Sequence, residues 1–585
     1  MFLRFDTRRL FHLLLGVYFL VGAHYTFPNF GGYGLNLPQN FVAWIFAGPL
    51  IGLGLWQWVR HRTFHYSVNL AIYWIGAGIL TIPLFFSNVI DFSSAAPRVM
   101  GLIGGLLLYT AVLQMQWTSS QWRLVLILIL ACVAVESVLG LIQYFVLEPG
   151  NYLGYDALGN RPQGSFQQVN VMASFIATGF AISLFLTVST GAPTRGQTAK
   201  LGAVLAGFVA LSAPFLLVVI QSRTGQLGAL AALLLLLPSL RGKAPIFGKQ
   251  LILWSFLAGS GLITGLGALN TVESAKRPPT IYEDPGARAI IYGQSFEVIQ
   301  QSPLIGGGYG NFENAWRQKH AQTASPPGNV VMGLHALSHP HNETLLWLVE
   351  GGLLAFSALL ILALGLLRSL WRVPWTRGLG LLALVAPILI HTQTEYPLYH
   401  SSLHWIILIV LLASIDASCL PIRSVRFPRV VLPATLALLV PATVVPFMVT
   451  GLQSLAVITQ LESKRPRDFQ LLMKISNPIP DHHRFQQHLW DLRLRTALAN
   501  NDEDELAAYI AWSKILTATQ PRAPLFRKQV LVLRALGRVD EAEDVLAEAR
   551  YLLGDRPEFS QLGTPNSEAP INDQDPSLEE RPAPS

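Results

Sequence analysis

The sequence predicts an all-α fold, a polytopic helical membrane bundle of about thirteen transmembrane helices with one large outer loop and a small helical C-terminal domain. Three observations predict it. First, the 585 residues are 51% hydrophobic and only 13% charged, with a mean hydropathy of +0.42, against about 25% charged in an ordinary soluble domain. Second, apolar runs of 17 to 26 residues recur along most of the chain, each long enough to cross a hydrocarbon core of roughly 30 Å as a helix. Third, the basic residues alternate between rich and poor loops. A soluble globular enzyme and a disordered protein are both excluded. The formal net charge of +7 reports topology rather than nucleic-acid binding, because the basic residues sit in short loops between apolar runs.

The spans lie near 10–27, 41–59, 68–86, 99–115, 122–147, 170–190, 200–220, 224–240, 250–270, 343–367, 376–394, 404–421 and 430–450. The first follows Arg4, Arg8 and Arg9 without a clean small-residue cleavage site, so it reads as an anchored helix rather than a signal peptide. One set of alternate segments holds seventeen Lys and Arg residues between Arg4 and Arg429, whereas the opposite short loops hold Arg98, Arg161 and Arg223. The positive-inside rule puts the rich set in the cytoplasm. The poor set, the 271–342 loop and the tail then face outward. The resulting organisation is nine spans over 1–270, a large outer loop over 271–342, four spans over 343–454, a helical domain over 455–555 and a disordered tail over 556–585.

In the tail, the run Leu533–Leu553 carries helical periodicity and mixed charge, with Gly537 as a stop between two amphipathic helices. That pattern suggests a tetratricopeptide-like module. From Arg556 onward Pro, Ser, Asn and acidic residues dominate, as in disordered segments. Cys132 and Cys419 lie in or beside separate apolar runs, so neither a disulfide framework nor a Cys-based metal site is expected. No P-loop or HExxH motif occurs, GGGYGNF (Gly306–Phe312) lacks the spacing of a dinucleotide fingerprint, and Asp502–Asp504 reads as solvated helix surface. No metal and no other cofactor is expected.

The unusual polar residues collect in the outer segments. HYTFPN brings His24 to the end of the first span. RPQGSFQQVN supplies Arg161, Gln168 and Asn170; its plain reading is a turn with Asn170 as a helix cap, its functional reading an anion- or sugar-binding loop. QSRTGQ puts Arg223 in a very short turn at or just below the interface, where charge is costly and usually functional. Arg288 opens an amphipathic helix in the large loop, either as a surface residue or as an anion ligand. SHPHNETLLWLVEGG places His339, His341 and Asn342 at the membrane surface, with Glu350 about 13 Å deeper as a packing or hydrogen-bonding group. HTQTEYPLYHSS adds Glu395, Tyr396 and Tyr399, as belt residues or as sugar-stacking platforms. Arginine forks match phosphate oxygens, and a neutral imidazole suits a general base near pH 7. The set fits metal-independent glycosyl transfer from a lipid diphosphate, with arginines stabilising the departing diphosphate.

At these residues the sequence resembles the O-antigen ligase and Wzy-type polymerase superfamily, and within it the bacterial protein O-oligosaccharyltransferases that glycosylate pilins. HPHNETLLWLVEGG is the most specific element, with RPQGSFQQVN, QSRTGQ and SPLIGGGYGNF matching further stretches and HYTFPN with EYPLYHS matching the protein-ligase subtype. The resemblance implies a GT-C-like bundle in the bacterial inner membrane with its site facing the periplasm. It also implies transfer of a preassembled glycan from undecaprenyl diphosphate to Ser or Thr of a pilin or other periplasmic protein. By resemblance His341 is the catalytic histidine with His339 its neighbour, and Arg161, Arg223 and Arg288 hold diphosphate or sugar. Ligation to lipid A–core, or polymerisation of repeat units, is the alternative within the class. A lipid-linked glycan transporter is the alternative outside it, for which Glu136 and Glu350 are the clear intramembrane acids.

Overall fold

The computed structural model describes residues 6–86, 92–188, 196–240, 244–271, 288–324, 337–560 and 562. Of the segment from Arg556 onward, where disorder is expected, Pro557–Ser560 instead forms a short helix, and Phe559 and Leu562 are buried in the core of the tail helices; residues from 563 onward lie outside the described residues, as do parts of the large loop. Among the described residues eleven helices are long and apolar enough to cross a membrane. A twelfth span forms if Trp375–Leu382 and Ala386–Thr392, bent by 58° at a short break, are counted together. The chain is thus a multi-pass helical membrane protein, and its spans fall where the apolar runs predict. The break in the 376–394 run precedes Pro387, which cannot donate to the helical ladder.

The first expected span is corrected. Its helix is Thr7–Leu20, 14 residues or about 21 Å, and ends in a 3₁₀ turn, Gly22–His24. The opposite occurs at the last span, where Val431–Ser463 runs for 33 residues, about 50 Å.

The chain divides into two compact units. One comprises residues 1–77, 100–283 and 359–449; the other comprises 78–99, 284–358 and 450–585. In the first, helices Val169–Val188 and Arg223–Leu240 pack together, and Gly225 and Gly228 abut Ala173 and Pro387 so closely that a Cβ would collide. A short antiparallel ribbon pairs Thr63–Tyr66 with Arg423–Arg426, Thr63 opposite Arg426. No strand is expected from the sequence there. The pairing joins two basic loops that the charge count assigns to the same side of the membrane. At that end Asp416, fully buried, accepts from Ser67 and Asn69 at 2.9 Å and from Ser369, with Tyr109 on the same carboxylate.

In the second unit the tail contains four helices rather than one pair, His482–Asn500, Glu503–Thr517, Ala523–Ala535 and Val539–Leu553. Their apolar faces share one core with Ala321 of the loop helix Phe312–Thr323. Gly537 takes the left-handed conformation expected of a helix stop, at φ 70°. Asp502 caps Glu503–Thr517 by accepting from the Glu505 amide, so the acidic triplet is helix start and surface.

Candidate functional site

The outer loops of the first unit are hydrogen-bonded to one another. Asn170 is not the cap of its helix: Gln168 Oε1 accepts from the Val171 amide at 2.9 Å, and Asn170 stands inside the first turn. From there Asn170 Oδ1 accepts from Ser222 Oγ at 2.7 Å and Asn170 Nδ2 reaches Glu395 Oε1 at 3.4 Å. Thr224 and Thr394 hydroxyls meet at 2.9 Å, and Arg161 Nε donates to the Ile220 carbonyl at 2.9 Å. Gln167 reaches Thr26 Oγ1 and the Phe27 carbonyl. Four segments chosen from sequence therefore converge at one end of this unit, bringing together Arg161, Gln168, Asn170 and Glu395. Arg223 begins the helix Arg223–Leu240 with its side chain exposed on the protein surface. Tyr396 packs edge-on against Tyr33 at 6.2 Å and Tyr399 at 6.4 Å, an aromatic cluster on the same segment as Glu395.

Beneath these loops His24 and Glu136, which the sequence singles out separately, are joined. His24 Nδ1 meets Glu136 Oε1 at 2.6 Å, and the backbone N–H of Ser165 donates to Glu136 Oε2 at 3.0 Å. Gln143 accepts from the Gln163 and Gly164 amides and donates to the Gly164 carbonyl. The signal available in sequence was an acid and an amide in an apolar span, which are rare there without a partner.

The second unit holds the histidines. His339 is 5% exposed, and its Nδ1 accepts from the backbone N–H of His341 at 2.8 Å. His341 is half-buried with φ at 54°, a left-handed conformation uncommon for a residue other than glycine. Its carbonyl accepts from Tyr292 Oη at 3.2 Å. Asn342 caps the following helix, accepting from the Leu345 amide at 2.9 Å. Arg288 is the first described residue of the helix Arg288–Gln301. Among the described residues seven non-glycine positions have positive φ, and Asn160, Gln167, Gln221 and His341 all lie in or beside segments chosen from sequence.

Glu350, a hydrogen-bonding group on the sequence reading, is an anchor. It is 2% exposed, pairs with Arg98, and accepts from the Gly310 and Phe312 amides at 3.1 and 3.2 Å. Arg98 also lies over Trp347 and Tyr309. The helix Glu343–Trp371 is interrupted at Gly352, with φ 63°. There the amides of Gly307 and Gly308 bond to the carbonyls of Val349 and Glu350, and Leu353 and Leu354 bond back to Pro303 and Leu304. A Cβ on Gly306 would sit 2.3 Å from the Glu350 backbone. The glycine run is thus required for backbone-to-backbone docking that positions the helix bearing His341 and Asn342 at its start. Tyr309, buried in this packing, has its phenol pushed up by loss of solvent. Among the described residues no three His, Cys, Asp or Glu side chains gather closely enough to hold a metal ion.

No curated protein matches the sequence. Residues 206–360, which include Arg223, Arg288 and both histidines, match the family described as O-Antigen ligase. Residues 379–565, with Glu395, Tyr396, Tyr399 and the helical tail, match the family described as Virulence factor membrane-bound polymerase, C-terminal. The segments with His24 and Arg161–Asn170 precede both matches. Over these two segments, each less than half of its length, the chain is similar to the O-antigen ligases, a family of enzymes that transfer lipid-linked glycans, and to the C-terminal part of membrane-bound polymerases.

Proposed function

We propose that this protein is a protein O-oligosaccharyltransferase of the bacterial inner membrane, moving a preassembled glycan en bloc from undecaprenyl diphosphate to Ser or Thr of a pilin or other periplasmic protein. The observation that carries the reading is the convergence of the Arg161–Asn170 loop with Ser222 and Glu395 at one end of the first unit. Arg161, Arg223 and Arg288 neutralise the donor diphosphate, and Gln168 and Asn170 contact its sugar end. An imidazole takes the proton of the acceptor hydroxyl. The hydroxyl oxygen bonds to the anomeric carbon, and the C–O bond to the diphosphate breaks, leaving its electron pair on a phosphate oxygen that arginines stabilise.

Hydrogen-bond direction favours His341 as the base. The Nδ1 of His339 accepts a backbone N–H, so a neutral His339 carries its proton on Nε2 and presents a donor. That suits His339 to orient the turn and leaves proton abstraction to His341. Asn342 holds the turn at the helix start, and Tyr396 and Tyr399 supply aromatic faces for sugar.

A protein acceptor is favoured by the folded helical tail. Arg522 on the tail pairs with Glu313 of the loop helix at 2.9 Å, joining two segments that flank the histidines in sequence. The family descriptions favour a second reading, ligation to lipid A–core or polymerisation. Expression in a cell making one defined lipid-linked glycan, with pilins and lipid A–core both assayed, separates them: glycan on pilin supports the first reading, and glycan on lipid A–core alone overturns it.

A further inference from the structure

Within the first unit, the Arg161–Asn170 loop does not rest on the ends of its neighbouring helices. It dips along the helix Ser119–Phe145 from Gln143 to Glu136, two turns deeper, or about 10 Å. Irregular backbone at that depth persists only when its polar groups find partners in protein. Here they do: Gln143 satisfies Gln163 and Gly164, and the Glu136 carboxyl takes both the amide and the hydroxyl of Ser165. Glu136 is 0% exposed, and a buried carboxyl needs a partner of its own. That partner is His24. The Phe19 carbonyl, 2.9 Å from His24 Nε2, can only accept, so Nε2 carries a hydrogen. The remaining nitrogen, Nδ1, shares the Glu136 Oε1 contact at 2.6 Å. Gly164 is part of the same fit: its φ is 60°, and a Cβ there would lie 2.2 Å from Glu136 Oε2.

We propose that His24 and Glu136 are positioning residues for the donor: their hydrogen bond orients the Glu136 carboxyl so that both its oxygens hold Ser165, and through Ser165 it sets Arg161, Gln168 and Asn170 to receive a lipid-linked diphosphate. The inference rests on the proposed reading of that loop. Neither His24 nor Glu136 touches the donor; each acts through the loop. His24 thereby links the end of the first helix, Thr7–Leu20, to the donor loop.

The test measures undecaprenyl diphosphate binding to the full-length protein in lipid nanodiscs, alongside glycan transfer kinetics with donor and acceptor varied separately. His24→Ala and Glu136→Gln weaken undecaprenyl diphosphate binding and raise the donor KM by about 10- to 100-fold, the effect of displacing positioned groups by an ångström or so. The acceptor KM stays unchanged. His24→Asn, whose side-chain amide places a group that hydrogen-bonds the Glu136 carboxyl near the Nδ1 position, recovers most of the loss, and a His24→Ala protein that still melts as a folded species shows that the loss is not unfolding. Unchanged donor binding in His24→Ala and Glu136→Gln overturns the inference, as does an equal rise in both KM values. Transfer to no acceptor by a wild-type protein that shows the binding difference counts against the proposed reaction alone.

Discussion

The Arg161–Asn170 loop and the His339–Asn342 turn are both short polar segments at helix starts, yet they are held in different ways. The loop is bonded along its length: Gln143 and Glu136 from below, Ser222 and Ile220 from a neighbouring turn, Glu395 from another. The turn has a buried imidazole accepting from the next amide but one, a Tyr292 hydroxyl on a carbonyl, and a left-handed residue at its centre. A segment tied on every side suits a ground-state task, holding an anion in one place. A half-buried imidazole on a strained backbone suits a task in which protonation changes during the reaction. On the proposed reading, the difference teaches that binding and proton transfer would be built from different local physics in one chain.

The largest way to break this comparison is at the turn. His341→Ala lowers the transfer rate by about 10²–10⁴-fold with little change in melting temperature. His341→Gly keeps the left-handed backbone without strain and is equally inactive, so activity recovered in the glycine variant would mean that backbone shape, not imidazole, matters. Next comes the anchor behind the turn. Glu350→Ala removes the buried carboxylate that pairs with Arg98 and frees two amides, costing about 3–5 kcal/mol of stability, read as a lowered unfolding midpoint.

Arg223 sharpens the contrast. It is exposed, so Arg223→Ala costs about 1.5–3 kcal/mol of donor affinity without destabilising the fold, and Arg223→Lys restores part of it because lysine cannot bind bidentately. Full rescue by lysine would argue against a forked phosphate contact. Smaller still is Arg522→Ala, which leaves Glu313 without this partner and loosens the tail from the loop helix by about 1–3 kcal/mol, measured as faster proteolysis of the tail.

The smallest expected effect is one of pH. His320, packed on Trp316 at 4.7 Å, is held below the usual imidazole range by burial and then by Arg317. Its folded form binds its proton less readily than the unfolded chain does, so its contribution is intact above the ordinary value of 6.5 and is lost as pH falls below it. His320→Gln flattens that acid-side loss of stability.

Most of the bundle was legible because hydrophobic length is a local property. Most of the apolar runs from 41–59 onward are helices with ends displaced by a few residues, although the last continues to Ser463 and the 376–394 run breaks in two, and loop charge puts the paired 63–66 and 423–426 segments on one side. The first helix stopped early because Val21 leaves helical geometry and the chain turns to bring His24 to Glu136, a contact spanning 112 positions. The plain reading of Asn170 as a cap fails for a related reason: Gln168 caps from two positions earlier, which frees Asn170 for Ser222. Residue types at the site were readable, because Arg, His and Asn stand out against apolar runs. Partnerships such as Arg98 with Glu350, 252 positions apart, were not, because nothing local marks them.

The central claim is that an imidazole in the His339–His341 turn drives glycosyl transfer from a lipid diphosphate. The direct measurement uses purified protein in proteoliposomes, with an undecaprenyl-diphosphate glycan and a Ser-containing pilin peptide, following glycopeptide and released undecaprenyl diphosphate together. The account predicts equal amounts of both products from the wild type and neither from His341→Ala at unchanged donor binding. Near-normal glycopeptide from His341→Ala would contradict it.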